Sequence, residues 1–442
     1  MSMLAGVSLF VCLAAAPVGE EPQVVFKLRR GATGVDPGAL LVAGLGNERR
    51  AARAWKPQRL RRVFAHRIAR SDVDEPAAGF DRIYVSDLPP GATLDALVAR
   101  LAADPRIEFA QPDHVRESHQ APSDPFYHSS GSWGQAYRDL WALPKLNVEQ
   151  AWVLSRGDGV VVAVVDSGVD YSHPELSAQM WANPEEQGVG PDNGYPDDTL
   201  GWDFVANDND PRDEFGHGTH MAGIIAAQAD NGLGIAGVAP AARLMAVRAI
   251  SGAGQGTSST IAAGIVYAAD NGAHVITVSS GCAARCPFDP LVEQAVRHAS
   301  TKGAIVVVSA GNRGDDLAFY SPQNMADPRP IVVGATDELD QRESFGNAGE
   351  LVDLAAPGGG RNPSPGVHSP VSNILSLASS SCSPLVCDAP LLVGDGQYLR
   401  RSGTSMSAAY VSGVAALVLA EDPLANLQSV RQRLFGNAQE LG

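Results

Sequence analysis

The stretch that decides the fold is "GVVVAVVDSGVD", Gly159–Asp170. Six apolar residues, Val160 to Val165, five of them valine, run without a polar interruption into Asp166. A strand with one wet face alternates, whereas an unbroken β-branched run marks a strand covered on both faces, as in a parallel sheet packed between helices. The aspartate at the end of the run is the anomaly. A carboxylate beside such a core is costly unless paired or hydrogen-bonded, and in open parallel sheets the chemistry gathers at the carboxyl ends of the strands. Asp166 is therefore either a turn aspartate or half of a pair.

Moving outward, the same β and α alternation fills the rest of the chain. "HGTHMAGIIAAQ" reads as a helix, "ARLMAVRAI" as a strand, and "TSSTIAAGIVYAADNG" as a helix opened by Thr/Ser and closed by Asn-Gly. "AHVITVSSG", "AIVVVSAGN", "PIVVGATD" and "LVDLAAPG" read as strands, with the helical "PLVEQAVRHASTKG" among them. The region 358–400 reads as a long loop rich in Gly, Pro and Ser. The pattern predicts an α/β domain from about residue 146 to 442, with a mostly parallel sheet under helices on both faces. Residues 22–116 read as a separate small α/β unit: strands "PQVVFKL", "DRIYVSDL" and "RIEFAQPD", and a helix "TLDALVARLAAD" with Thr93 as N-cap. The polar, turn-rich segment 117–145 reads as a linker together with the N-terminal segment of the larger domain.

Charge is divided between these parts. Residues 1–120 hold 16 Lys/Arg against 14 Asp/Glu, while the remainder holds 17 against 35. An acidic main body excludes the basic footprint that nucleic acid rewards. The opening run "MSMLAGVSLFVCLAAAP" is too short to span a bilayer and ends in small residues, so residues 1–16 are expected to be a secretory signal. Cys12 within it leaves a lipid anchor as the rival. No later stretch reads as a membrane span. Four cysteines remain, Cys282, Cys286, Cys382 and Cys387. Their spacing suggests two small disulfide loops, with three connectivities open and a zinc site as the weaker alternative.

Two further polar positions stand where apolar helices begin. His217 lies between two glycines in "DEFGHGTHMAG", and His220 follows three positions on, so an HxxH metal pair is one reading. Ser405 in "SGTSMSAAYVSGVAAL" follows Gly403 and Thr404 at the mouth of a helix, where amides stabilise an anion. The order Asp, His, Ser is one of the three known chain orders of the serine-protease triad.

With these residues in place, the chain resembles the subtilisin-like serine proteases. "VVDSGVDYSHPEL", "GHGTHMAG", "SAGN" and "GTSMSAAYVSG" are similar to the family's signature segments, in order, and "VGATD" and "DLAAPG" to segments between the last two. The resemblance implies a three-layer subtilisin-like sandwich preceded by an inhibitor-like propeptide, removed between about residues 114 and 124. It implies Ser405 as nucleophile, His217 as base, Asp166 as its orienting carboxylate and Asn312 as oxyanion donor. Ser279, Ser280 and Gly281, with Ser309, Ala310 and Gly311, would line a channel for an extended polypeptide. Arg313, next along, would disfavour basic side chains unless Asp315 and Asp316 neutralise it.

Glu175 in "HPEL" and Asp230 in the loop "QADNGLGI" fall where relatives hold calcium, a structural ion that catalysis itself does not need, and "NPEEQGVGPDNGYPDD" is a further acidic loop. The expected protein is a secreted monomer that cuts polypeptides and is inhibited by its own propeptide, with no nucleic-acid partner and no stable membrane insertion. A peptide-binding relative without useful turnover, and an esterase, are the competing readings. Two departures stand out. Ala409 and Tyr410 replace the family's usual Pro and His, and the chain closes soon after the serine helix, where relatives continue with another strand and helix.

Overall fold

The computed structural model describes residues 23–32, 35–42, 60–63, 82–113, 121–184, 186, 193–360 and 373–439. The expected signal sequence, Cys12 and most of the expected propeptide junction lie outside them. The chain divides into two compact units, Met1–Ser118 and His119–Gly442.

In the first unit, strands Gln23–Leu28, Ile83–Asp87 and Ile107–Pro112 pair antiparallel, Gln23–Leu28 in the middle, with the short Arg61–Arg62 at one edge. Helix Leu94–Ala102 begins where Thr93 accepts a hydrogen bond from the Ala96 amide. Its Leu97 and Leu101 pack with Val24, Phe26, Leu28 and Ile107. A short helix, Pro37–Val42, adds Leu40 and Leu41 to that core.

The second unit is built on seven parallel strands: β1 (Val161–Asp166), β2 (Gly201–Asp203), β3 (Arg243–Arg248), β4 (Val275–Val278), β5 (Ile305–Ser309), β6 (Ile331–Thr336) and β7 (Leu354–Pro357). Their spatial order is β7-β6-β5-β4-β1-β3-β2. The unbroken apolar run explains itself in the packing. Val162 and Val164 join one core with helices α1 (His217–Ala226) and α4 (Thr404–Glu421), while Ala163 and Val165 join another with α2 (Ser258–Asp270) and α3 (Pro290–Thr301). The order in which strands are added to the sheet reverses between β1 and β4, the place where such a sheet opens a crevice at its carboxyl edge.

One sequence reading is corrected by the structure. The region read as one long loop holds a three-stranded antiparallel sheet of β8 (Ile374–Leu377), β9 (Leu392–Val393) and β10 (Tyr398–Arg401). Residues 121–145, expected as linker and N-terminal segment of the mature enzyme, pack into the second unit, with Tyr127 and Trp141 buried and the Trp141 indole donating to the Asn373 carbonyl. Helix α4 is long and apolar enough by length and composition to cross a membrane, yet most of it is buried inside the domain as its central helix. Its small residues serve that burial: a Cβ on Gly413 would lie 2.6 Å from Cβ of Val238. Ala409 and Tyr410 are buried in it and the helix runs through them unbroken. A further helix, α5 (Leu427–Gly436), follows, capped by Asn426.

Candidate active site

Asp166 ends β1, almost wholly buried, and finds its partner across the crevice. Its Oδ1 accepts from the Ser167 amide and from His217 Nδ1, both at 2.8 Å. With Nδ1 donating, Nε2 of the ring is left with its lone pair. Burial pulls the imidazole pKa down, but the charge and hydrogen bond of Asp166 outweigh it and hold His217 above its usual value. The ring keeps 19% of its side-chain surface exposed, so it meets both the carboxylate and the solvent.

Glycine on either side of His217 has a measurable reason. Gly218 packs with its amide donating to Ser167 Oγ, and a Cβ there would stand 2.0 Å from the Gly168 carbonyl oxygen. Gly216 has φ +103°, the left-handed region that favours glycine.

Behind this pair stands a second carboxylate that sequence reasoning missed. Asp213 is fully buried, accepts from Ser167 Oγ, Phe215 N and Gly216 N through Oδ1, and from Thr219 N and Oγ1 through Oδ2. Burial pushes its pKa up, against those hydrogen bonds. It ties Ser167, next to Asp166, to the first turn of α1, which carries His217. An acidic residue four positions before a glycine-flanked histidine at a helix start was the available signal.

Ser405 is the second residue of α4, and its Oγ donates to the Ser279 carbonyl at 3.0 Å, not to His217. Asn312 follows β5, exposed, with Oδ1 accepting from the Thr404 amide at 2.9 Å and from Thr404 Oγ1 at 3.0 Å. The side chain thus caps α4, and its orientation is fixed because both partners are donors. Its Nδ2 and the Ser405 amide have no partner among the described residues, which leaves two donors free at the start of α4. Thr404, which orients Asn312 and also accepts from the Gly311 amide, was another residue the sequence reading passed over.

The two proposed channel segments differ. Ser280 and Gly281 leave their backbone groups unbonded among the described residues, whereas Ser279 O is taken by Ser405. Ser309 and Ala310 are turned inward: Ser309 O accepts from Gln323, Ala310 N donates to Val333 O, and Ala310 O accepts from Asn347. The first segment keeps backbone groups free, whereas those of the second are engaged within the domain. Gly311 is required there, with φ +96° and Asn347 Nδ2 at 2.6 Å from a would-be Cβ. Asp315 is already taken by Arg285 in a two-pronged ion pair.

His220 is not a metal partner of His217. It is buried, donates through Nε2 to the Leu399 carbonyl at 3.0 Å, and burial with the nearby His217 holds its pKa down to about 3. The four cysteines form disulfides Cys282–Cys286 and Cys382–Cys387, which removes the zinc reading. Among the described residues no three His, Cys, Asp or Glu side chains converge as a metal cluster. Glu175 and Asp230 do not converge either: Asp230 pairs with Arg156 at 2.7 Å, while Glu175 accepts from the Tyr398 hydroxyl at 2.7 Å and from the Ile235 amide. The buried carboxylate nearer Glu175 is Asp124, which accepts from the Asp230 and Asn231 amides.

Residues 157–442 match the subtilase family. The chain belongs to that family. It is 35% identical over 351 residues, 79% of its own length and 71% of the other, to a thermophilic serine proteinase of Bacillus sp. (strain AK1). It is 36% identical to thermitase of Thermoactinomyces vulgaris, over 68% of this chain and 86% of that one. A solved protease of Pseudoalteromonas arctica superposes with a TM-score of 0.54 at 29% identity, covering 73% of this subtilase and 93% of that chain. The fold is subtilisin-like, and the subtilase described here is a subtilisin-like serine endopeptidase.

Proposed function

We propose that this subtilase is a secreted endopeptidase made as a self-processing zymogen, working through Asp166, His217 and Ser405. The observation that carries the reading is the 2.8 Å Asp166–His217 hydrogen bond beside a serine at a helix start. A turn of the Ser405 side chain away from Ser279 takes Oγ toward Nε2 of His217. Nε2 accepts the hydroxyl proton as Oγ attacks the substrate carbonyl, and the oxyanion is met by Asn312 Nδ2 and the Ser405 amide. His217 returns the proton to the departing amine, and a water repeats the sequence on the acyl-enzyme. An extended substrate lies along Ser280 and Gly281, whose free backbone groups suit an added strand.

The first unit is the propeptide in this reading. The chain and its Ser405→Ala variant, expressed in parallel, separate the outcomes by intact mass. Loss of the N-terminal unit near residues 114–124 in the parent alone is expected. If both stay whole and the parent fails to label with an active-site serine reagent, the chain is a peptide-binding relative. The Ser405 hydrogen bond to Ser279 O is the observation that favours that second reading.

Calcium has a revised place. Two buried carboxylates, Asp124 and Glu175, flank the 228–235 loop with no cationic side chain bonded to either among the described residues. Burial, with the charge of Asp124, pushes the Glu175 carboxyl up to about 7. Two hard oxygen donors beside a loop rich in carbonyls suit calcium, with Asp124 in place of Asp230. A chelator is expected to lower the melting temperature of the parent by several degrees and to leave Glu175→Gln unmoved; equal responses would remove the ion from this loop.

A further inference from the structure

The disulfide Cys382–Cys387 lies outside every segment that performs the chemistry, yet it is built against the residue before His217. A Cβ on Gly216 would stand 2.2 Å from Cys382 Sγ, 3.3 Å from Cys382 Cβ and 3.5 Å from Cys387 Sγ. Cys382 Sγ lies 3.3 Å from the Phe215 carbonyl oxygen, and the same oxygen accepts from the Ser383 amide at 3.2 Å. Ser379 Oγ donates to the Asp213 carbonyl at 2.7 Å, and Phe215 and both cysteines pack against one buried cluster of Ala378, Val386, Leu391 and Leu399. The segment Asp213–Gly216 is therefore held from two sides. The Asp213 carboxylate grips the Phe215 and Gly216 amides from the interior, and on the other side the disulfide loop and the Ser379 before it bond the Phe215 and Asp213 carbonyls.

We propose that the Cys382–Cys387 disulfide is a positioning element for His217, a rigid stop against which the Phe215–Gly216 backbone is pressed so that the imidazole meets Asp166. The inference rests on the triad reading above for its effect on turnover, but not for its effect on the ring. Gly216 is at positive φ and has no room for a side chain on the sulfur side, so the backbone there has one place to go while the sulfurs stay. Remove them, and the space beside Gly216 opens by the volume of two sulfur atoms. The ring then loses its fixed approach to Asp166, and misplacement by about 1 Å of a catalytic group is enough to cost on the order of 100-fold in rate. The other disulfide, Cys282–Cys286, closes a loop of nearly the same size directly after Gly281. It is the natural comparator, because short loops of equal length restrain the unfolded chain alike.

The test uses the full chain with C382A/C387A and C282A/C286A, each also in a Ser405→Ala background for NMR titration of the His217 ring. His217 feels Asp166 and Asp213, which raise its pKa, and Arg401, which lowers it. The expected result for C382A/C387A is a fall of roughly 10- to 100-fold in kcat with KM within about twofold. The His217 pKa moves down toward its ordinary value. C282A/C286A should lower the melting temperature by a similar amount, place its kinetic effect on KM, and leave the His217 titration unmoved. Should C382A/C387A fail to fold, Gly216→Ala in the parent presses a methyl group on Cys382 Sγ and is expected to shift the same titration.

The proposal is overturned if His217 titrates identically in the parent, in C382A/C387A and in Gly216→Ala, or if the two disulfide variants lose kcat equally. A parent that neither cleaves peptide nor labels at Ser405, but whose His217 pKa still falls in C382A/C387A, sinks the triad reading and leaves the positioning role standing.

Discussion

Asp166 and His217 meet in a 2.8 Å hydrogen bond between two groups fixed from behind, by the Ser167 amide on one side and by the Asp213-held loop on the other. Ser405 and Asn312, on the opposite bank of the crevice, share no such bond; the hydroxyl rests on Ser279 O and the amide rests on Thr404. In the proposed mechanism the difference follows from what each half must do. The histidine works only in one tautomer and one orientation, so its surroundings leave it none other. The serine oxygen must travel to a carbonyl carbon, so its resting hydrogen bond is a single neutral contact, worth about 1 kcal/mol net. On the oxyanion side rigidity returns, but in the donor: Asn312 is fixed through its oxygen, which frees its nitrogen. Preorganisation in this site belongs to the groups that stay still during the reaction.

A graded series of substitutions measures that contrast. Asp166→Asn keeps the shape of the buried side but allows the wrong tautomer, and kcat is expected to fall by about 10⁴. Asn312→Ala removes one oxyanion donor, and its expected loss is about 10²–10³ in kcat with KM little changed. Thr404→Val leaves Asn312 in place but removes one of the two bonds that aim it, so a loss on the order of 10-fold is expected, again in kcat. Single-turnover and steady-state rates on one peptide substrate supply all three. A Thr404→Val loss as large as that of Asn312→Ala would mean that the asparagine is collapsed without its threonine. A loss for Asp166→Asn no larger than for Asn312→Ala would mean that the two banks are equally built, which would break the contrast.

Much of this was legible in the sequence, and the reasons are local. The valine run of β1 announced a doubly covered parallel sheet because burial on both faces erases alternation. Gly216 and Gly218 marked His217 because close backbone approach leaves a glycine signature. Thr93 gave the N-cap of its helix correctly. What stayed hidden depended on residues brought from afar. Asp213 carries one local sign, its place four positions before His217, but its role shows only when Ser167 and Thr219 converge on it, and Asp124 lies 51 residues before the glutamate it faces. The region 358–400 misled because its strands are short, two to four residues, and its turn residues dominate the composition. Asp230 shows the same limit from the other side: its neighbours fit the pattern of a cation loop, and nothing local announces the arginine 74 positions away that pairs with its carboxylate.

The smallest effect in the series is the one that tests the pairing most directly, because it needs no loss of function to be seen. Burial lowers the His217 pKa and Asp166 raises it by more, so the ring titrates above its ordinary value of about 6.5. As base, His217 must be neutral, and activity is therefore expected to be lost as pH falls through that raised pKa. The stability linkage has the opposite sense. A histidine whose pKa is raised by folding adds stability that is fully present below about pH 6.5 and is lost as pH rises through the folded value. Between those two pH values the molecule gains its working base while giving up that part of its stability. Ser405→Ala keeps the ring and its carboxylate and removes turnover, so its melting temperature should fall across that window. Adding Asp166→Asn should flatten the fall and move the ring's titration down. A ring that titrates at its ordinary value with Asp166 intact would show that burial, not the carboxylate, governs the site, and the buried bank would then be rigid without being charged for its task.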